Sequence, residues 1–362
     1  MPIQTAADSI SNSAGSPYGF KNRIINGAMV IDQRNAGASI AANNIYSVDR
    51  WLAVSDTSNK WTVQQNAGSV TPPAGFTNYL GCTSSSAYTP ISTDYFGPNQ
   101  RIEGYNIADL NWGSASALPI TLSFWVRSSL TGSFGGSIQN SSQNRSYAFP
   151  YTISSANTWE YKTVTIAGDT TGTWLTNNGI GFVVHFSLGA GSSRVGTAST
   201  WTGTSNVFAP TGSVNVVSTN GATFYITGVQ LEKGSQATAF DYRPYGTELQ
   251  LAQRYFSTSF QVGAATASPD SLSVTQTGAQ FINSAAAINT VTATFPVVMR
   301  TAPTVTIYAP LTSPAVGRVR KAQDGYIFTG ATAGFIGEKS FLPTGGDTNN
   351  PFQYGWVATA EF

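Results

Sequence analysis

Residues 223–256 read TFYITGVQLEKGSQATAFDYRPYGTELQLAQRYF, and the periodicity changes inside them. From Thr223 the alternation is that of a strand: Phe224 and Ile226 can face a core, while Tyr225, Thr227 and Val229 face the other way. Glu232-Lys233-Gly234-Ser235 is a polar, glycine-bearing stop, and Pro244 with Gly246 marks a chain reversal. From Thr247 the spacing is helical. Thr247 can cap, Glu248 sits in the first turn where the helix dipole favours it, and Leu249, Ala252, Gln253 and Phe256 recur at helical intervals. The stretch divides the chain. A large β domain is closed by its strand, and a smaller β domain is positioned by its helix.

Composition agrees with that division. At 362 residues the chain can bury two cores. Only 10% of residues are charged, and Gly, Ser, Thr, Asn and aromatics are abundant, which favours an all-β protein with many turns. A formal net charge of +1 makes no electrostatic case for nucleic acid or an anionic membrane. Cys82 is the single cysteine, so it forms no intrachain disulfide and reads as a small buried hydrophobe. Without a CxxC or Cys/His cluster, no zinc site is expected. The opening MPIQTAADSISNSAG has neither a basic nor an apolar region of a secretory signal. No run approaches the roughly 20 apolar residues of a membrane span, so membrane insertion is not expected, and synthesis in a cytoplasm without export is.

Residues 1–20 are small and polar and read as an N-terminal arm. Residues 21–245 carry strands at regular spacing, divided by Gly, Pro, Asn and Ser clusters, as in a sandwich or barrel. In Ile120–Ser128, Leu122, Phe124 and Val126 share one face, with Ser123, Trp125 and Arg127 on the other. Ile180–Leu188 repeats the scheme, with His185 and Ser187 opposite an apolar row. Asp49 and Arg50, just before Trp51, can pair at the entry to the core. Segment 189–222 is a long, weakly patterned insertion of the kind that is functional or covered by a neighbour. Residues 246–258 are the helical linker, and 259–362 form the C-terminal β domain.

No catalytic constellation is legible. Asp94, Glu103, Asp109, Glu160 and Asp169 are carboxylates of the right type for glycoside hydrolysis, but no motif places two of them across a cleft. His185 is the only histidine and has no nucleophile elbow to serve. The positive signal is for binding. Trp125 and Arg127 project from the face opposite the core row, with His185 at its edge and Tyr147 and Trp159 in strands that can adjoin it. Aromatic rings offer apolar faces to sugar C–H groups, and Arg or His donates to hydroxyls. The same face can instead be buried against a second subunit.

Four groups of residues carry a family resemblance. ITGVQLEKGSQATAFDYRPYGTELQLAQRYF resembles the junction of many tailed-bacteriophage tail-fibre and receptor-binding proteins, where a jelly-roll module similar to carbohydrate-binding modules ends and a short helix follows. The family often has Cys where Ala252 stands, so any role of that thiol is absent here. NRIINGAMVIDQRNAG with Tyr46, Asp49, Arg50 and Trp51 is similar to the opening strands of that family, and the run from RIEGYN to TWEYKTVTIAGDTTGTW continues the likeness to about residue 256. FPVVMRTAPTVT and the final WVATAE are similar to C-terminal tail-fibre domains. The resemblance implies a jelly-roll β-sandwich, a short helix and a second, smaller β domain. It implies a homotrimeric virion protein, joined to other tail proteins through residues 1–20, that attaches to a bacterial surface glycan without catalysis. The competing readings are a capsid or baseplate assembly protein with no host contact, and a glycan depolymerase. No cofactor is implied. A structural calcium ion on loop oxygens is compatible with such modules, with no ligands readable.

Overall fold

The computed structural model of the chain describes residues 21–260, 292–309, 315–321, 325–344 and 352–362; the arm expected at 1–20 lies outside them. The opening strands are β1 (Ile40–Ala41), β2 (Ile45–Tyr46), β3 (Leu52–Ser55), β4 (Trp61–Gln65) and β5 (Leu80–Ser84). Longer strands follow: β6 (Tyr95–Glu103), β7 (Ile120–Ser128), β8 (Gly132–Asn140), β9 (Ser146–Ile153), β10 (Glu160–Ile166) and β11 (Ile180–Phe186). The insertion holds β12 (Gly189–Ala190), β13 (Val195–Gly196), β14 (Trp201–Thr202) and β15 (Ala209–Pro210), and β16 (Thr223–Lys233) closes the module.

The strands build two antiparallel sheets. Sheet one runs β1-β4-β5-β16-β7-β10; sheet two runs β14-β9-β8-β11-β6-β3-β2, with β12 against β6. The chain crosses repeatedly from one sheet to the other, which makes the module a jelly-roll sandwich. Its core is the meeting of the two apolar rows legible in the sequence: Leu122, Phe124 and Val126 of β7 and Phe182, Val184 and Phe186 of β11 are all fully buried. Phe124 and Phe186 meet edge to face at 5.0 Å between ring centres. Cys82 is buried in the same core.

Val229 departs from the expected alternation. Pairing of β16 with β7 shifts register between Thr227 and Gln230, and Gly228 has φ +60°. This is a bulge that inserts one residue and inverts the phase of the strand beyond it. Phe224 and Ile226 face the core before it, Val229 and Leu231 after it. The opening NRIINGAM segment packs directly on this bulge. Asn22 Nδ2 donates to Val229 O at 3.1 Å, Val229 N donates to Gly27 O at 3.0 Å, and Arg23 N donates to Leu231 O at 2.9 Å.

Helix α1 (Tyr245–Gln253) begins two residues before the expected Thr247, with Pro244 at the N-cap and no side-chain cap. The fixed φ of proline starts the helix without one. Glu248 instead accepts from Asn26 N and from Arg243, tying the first turn to the opening segment. The expected linker to 258 ends early, because β17 (Phe256–Thr258) is already a strand. It continues into the smaller β domain: β18 (Ala293–Thr294), β19 (Thr304–Ala309), β20 (Ala315–Val316), β21 (Arg318–Lys321), β22 (Ile327–Thr329), β23 (Thr332–Gly334), β24 (Ser340–Thr344), β25 (Phe352–Gln353) and β26 (Gly355–Thr359). Its core gathers Phe295, Met299, Ile307, Phe341 and Trp356.

Charged residues cluster where the two β domains meet. Asp49 and Arg50 do not pair with each other as expected. Asp49 accepts from Gln33 N at 2.6 Å and faces Arg34 at 3.8 Å, whereas Arg50 pairs with Glu361 and stacks 3.5 Å over Tyr255. Neighbouring side chains on opposite walls of the segment reach different elements, which sequence adjacency does not reveal. Glu103 binds Arg254 at 2.6 Å and accepts from Tyr255 Oη at 2.7 Å. Among the described residues no helix is long and apolar enough to cross a membrane.

The contact between the opening segment and the bulge sets an expected outcome. A Cβ on Gly27 would sit 2.1 Å from Val229 O, whereas one on Gly246 in α1 would meet nothing within 4 Å. Gly27→Ala should lower unfolding stability by about 2 kcal/mol or more. Gly246→Ala should raise it by up to about 1 kcal/mol, read by chemical denaturation.

Candidate functional site

The outer face of sheet one carries an open groove of about 780 Å³. Its floor is set by the β7–β10 register, which places Trp125 opposite Tyr161, Ser123 opposite Thr163 and Thr121 opposite Thr165. Trp125 and Tyr161 lie 5.4 Å apart. A second aromatic group stands beside them: Phe76 meets Phe240 at 5.1 Å and Tyr242 at 5.5 Å. Tyr161 is 44% exposed and Tyr242 59% exposed. Phe76 can bring the far end of its ring close to β16 because Gly228 has no side chain; a Cβ there would be 2.5 Å from the ring.

One wall of the groove is the chain after β16, residues 234–240. The bulge explains why it folds back there. With the phase inverted, Gln230 and Glu232 point outward and seize the returning backbone. Glu232 accepts from Thr238 N at 2.8 Å and Thr238 Oγ1 at 2.7 Å, and Gln230 Oε1 accepts from Asp241 N at 2.8 Å. Thr121 Oγ1 donates to Gly234 O at 2.9 Å and Thr165 Oγ1 to Ser235 O at 3.1 Å. The residues of the GVQLEKGSQAT motif thus build a wall, not only a strand end.

Of the residues singled out in the sequence, Trp125 lines the groove. Arg127 and Trp159 share its face of sheet one, one step along the strands, in an adjoining cluster. There Arg127 lies 5.5 Å over Tyr225 and donates from Nε to Asn157 O at 3.0 Å, while Trp159 meets Tyr79 edge-on at 5.6 Å and donates to Thr71 O. Tyr147 and His185 do not adjoin this face. Both belong to sheet two, Tyr147 in β9 against Trp201 at 5.2 Å, and His185 in β11. The alternation of His185 was legible; the sheet holding its strand was not. Tyr161, Phe76, Phe240 and Tyr242 were missed. Tyr161 had a signal, since Trp159, Tyr161, Thr163 and Thr165 alternate on one face of β10. The other three lie outside strands.

The outer face of sheet two is closed by the chain itself. The segments on either side of the edge strand β14, residues 191–200 and 203–214, run over it as a strap: Val207, Phe208 and Ala209 are buried, Phe208 stacks on Tyr95 at 4.0 Å, and β13 pairs in parallel with β15. Pro210 sits on Gly135, where a Cβ would be 2.4 Å from its ring. His185 is fully buried beneath the strap, 5.2 Å from Phe208, next to Asn99 and Ser137 in register. Burial drives its pKa down to about 3, and the Phe96 backbone offsets this only in part.

The carboxylates weighed for catalysis are all engaged in holding structure. Asp94 accepts from Tyr88 Oη at 2.7 Å and Ile91 N at 2.9 Å, and Asp109 pairs with Arg23 at 2.8 Å. Glu160 pairs with Lys162 at 2.6 Å, and Asp169 with Arg145 at 2.6 Å. Among the described residues lining the groove there is no acidic, basic or histidine side chain. Among the described residues no group of three or more His, Cys, Asp or Glu side chains could hold a metal ion.

No protein-family model matches the chain, and no curated protein matches it. Distant likenesses occur among solved structures. The enzymatically active domain of tailspike protein 4 of bacteriophage CBA120 is 12% identical with a TM-score of 0.33, over 59% of this chain and 21% of that one. A family 11 carbohydrate-binding module from Clostridium thermocellum, in complex with a mixed-linked tetrasaccharide, is 14% identical with a TM-score of 0.27, over 55% of this chain and 98% of that one. A Bacteroides thetaiotaomicron protein provisionally described as sugar-binding is 12% identical with a TM-score of 0.35, over 59% of this chain and 100% of that one. The chain thus spans about a fifth of the tailspike domain and nearly all or all of the other two.

The buried imidazole has a measurable consequence. Its folded pKa of about 3 lies below the ordinary value of 6.5, so its contribution to stability is present above pH 6.5 and is lost as pH falls toward 3. The loss approaches about 1.4 kcal/mol per pH unit inside that window. Asp49 acts in the opposite sense, since burial pushes its carboxyl up to about 6. Comparing wild type with His185→Gln cancels that term. The difference in unfolding free energy between the two proteins should tilt toward the variant by that slope below pH 6.5 and be flat above about pH 7.5.

Proposed function

We propose that the chain is a non-catalytic glycan-binding protein of a tailed-phage virion, a tail fibre that attaches the particle to a polysaccharide on the bacterial surface. The observation that carries this reading is the open groove on sheet one, with the rings of Trp125, Tyr161 and Tyr242 beside the exposed hydroxyl residues Thr163 and Thr165 of its floor. Apolar ring faces take sugar C–H surfaces, and hydroxyls at fixed positions take sugar hydroxyls. Sheet one is the candidate because the strap roofs the outer face of sheet two. The absence of carboxylates and imidazole among the described residues lining the groove supports retention of a glycan without cleavage.

The virion role rests on the motifs that span residues 20–256, and with it comes the homotrimer. One groove should bind a sugar segment weakly, near millimolar, or roughly 4 kcal/mol. Three linked copies raise the apparent affinity by about 10² or more on a dense glycan surface. Sedimentation at micromolar concentration should accordingly return a trimer, and a monomer would overturn the fibre assignment.

Trp125→Ala should weaken attachment of the assembled protein to host cells by about tenfold or more, with oligomer and melting temperature nearly unchanged. If the same substitution dissociates the oligomer instead, the ring is a subunit contact. Release of reducing ends from host polysaccharide would contradict the non-catalytic assignment.

A further inference from the structure

The groove has a chemical bias that narrows its ligand, given the glycan-binding reading above. Along the floor, Trp125 to Thr121 spans about 13 Å of strand, so the surface suits a run of linked sugars. The hydroxyl protons of Thr121 and Thr165 are committed to the carbonyls of Gly234 and Ser235. Thr121 is buried, so of the two it is the exposed Thr165 whose lone pairs a ligand can reach, and these accept hydrogen bonds. No charged side chain is among the described residues lining the groove: Arg127, one step along β7 on the same face, is held over Tyr225 and by Asn157 O. Glu232 is buried and holds Thr238, while Lys162 alternates to the other face of β10 and pairs with Glu160 at 2.6 Å.

Such a surface treats two classes of polymer differently. A sugar can donate a hydroxyl to Thr165, exchange a hydrogen bond with Thr163 and lay its ring on Trp125 or Tyr161. A carboxylate, sulfate or phosphate is an acceptor only. It would lose hydration and find only neutral donors, such as the Thr163 hydroxyl and the Trp125 indole N–H, with no cation among the lining side chains, which is costly for an ion. We infer that the groove takes an uncharged polysaccharide lying along β7 and β10 and rejects anionic ones. Affinity then comes from ring stacking and neutral hydrogen bonds, so it should be insensitive to salt.

The test is an affinity-retention series on the full-length protein with matched polymers: a glucan against its carboxymethyl derivative, and fully methyl-esterified polygalacturonate against polygalacturonate. A neutral polymer should be retained unchanged from about 20 to about 500 mM salt, and its anionic partner at least about tenfold more weakly. Trp125→Ala should cut the neutral retention by about tenfold. Thr163→Lys, at an exposed position on the groove floor, should raise retention of the anionic partner in a salt-dependent way. Tighter binding of the anionic partner by the wild type, lost in Trp125→Ala, would overturn the charge inference while keeping the glycan groove. Retention of no polymer, or retention that neither substitution changes, would overturn the groove reading and this inference together.

Discussion

The bulge at Gly228–Val229 in β16 is the constraint on which the remaining architecture depends. It inverts the phase of one strand in the middle of a sheet. Before it, Tyr225 and Thr227 face outward; after it, Gln230 and Glu232 do, and Val229 and Leu231 close the core. The outward pair then clamps residues 234–241 back over the sheet and so raises the wall of the groove. On the inner side the bulge frees backbone groups that Asn22 and Gly27 satisfy, so the chain's opening and closing segments are joined at one point. A buried backbone polar group left without such a partner would cost about as much as a lost hydrogen bond.

Charge in this protein is spent on junctions and withheld from the groove. The chain is only 10% charged, yet Arg34 and Arg50 converge on Glu361, and Arg254 meets Glu103. Arg34 and Arg50 also lie on Phe256 and Tyr255, at 3.7 Å and 3.5 Å from the ring centres. Buried ion pairs lose hydration and add little net stability, but removing one partner leaves an uncompensated charge. Their service here is to fix how β17 and the residues after β26 engage the sandwich. The neutral groove is the complementary choice: stacking and hydroxyl contacts operate without ions.

Much of the fold was legible. The rows of Leu122, Phe124 and Val126 and of Phe182, Val184 and Phe186 announced two core faces, and glycine-rich turns marked the strands between. The bulge was harder to see, because a single Gly inside an alternating run does not reveal which neighbour skips a residue; Val229 was assigned to the wrong face for that reason. The site was half legible. Alternation within β7 placed Trp125 on an outward face, but alternation says nothing about which strands share a sheet, so His185 and Tyr147 were grouped with it although β11 and β9 lie in the other sheet. Nor does it show that an outward face is roofed. The strap over His185 comes from a segment whose composition lacks period, and its closure depends on the Tyr95–Phe208 stack and on Pro210 seated against Gly135. Phe76, Phe240 and Tyr242 reached the groove through turns, where tertiary contact and not local pattern sets position.

Hydroxyl-radical footprinting of the assembled protein, free and bound to host cells, tests most directly the claim that sheet one is the attachment face. The account predicts protection of Trp125, Tyr161 and Tyr242 on binding, with labelling of Trp201 and Phe208 in the strap region unchanged. Protection confined to the strap, with the groove aromatics labelled as in the free protein, would contradict it.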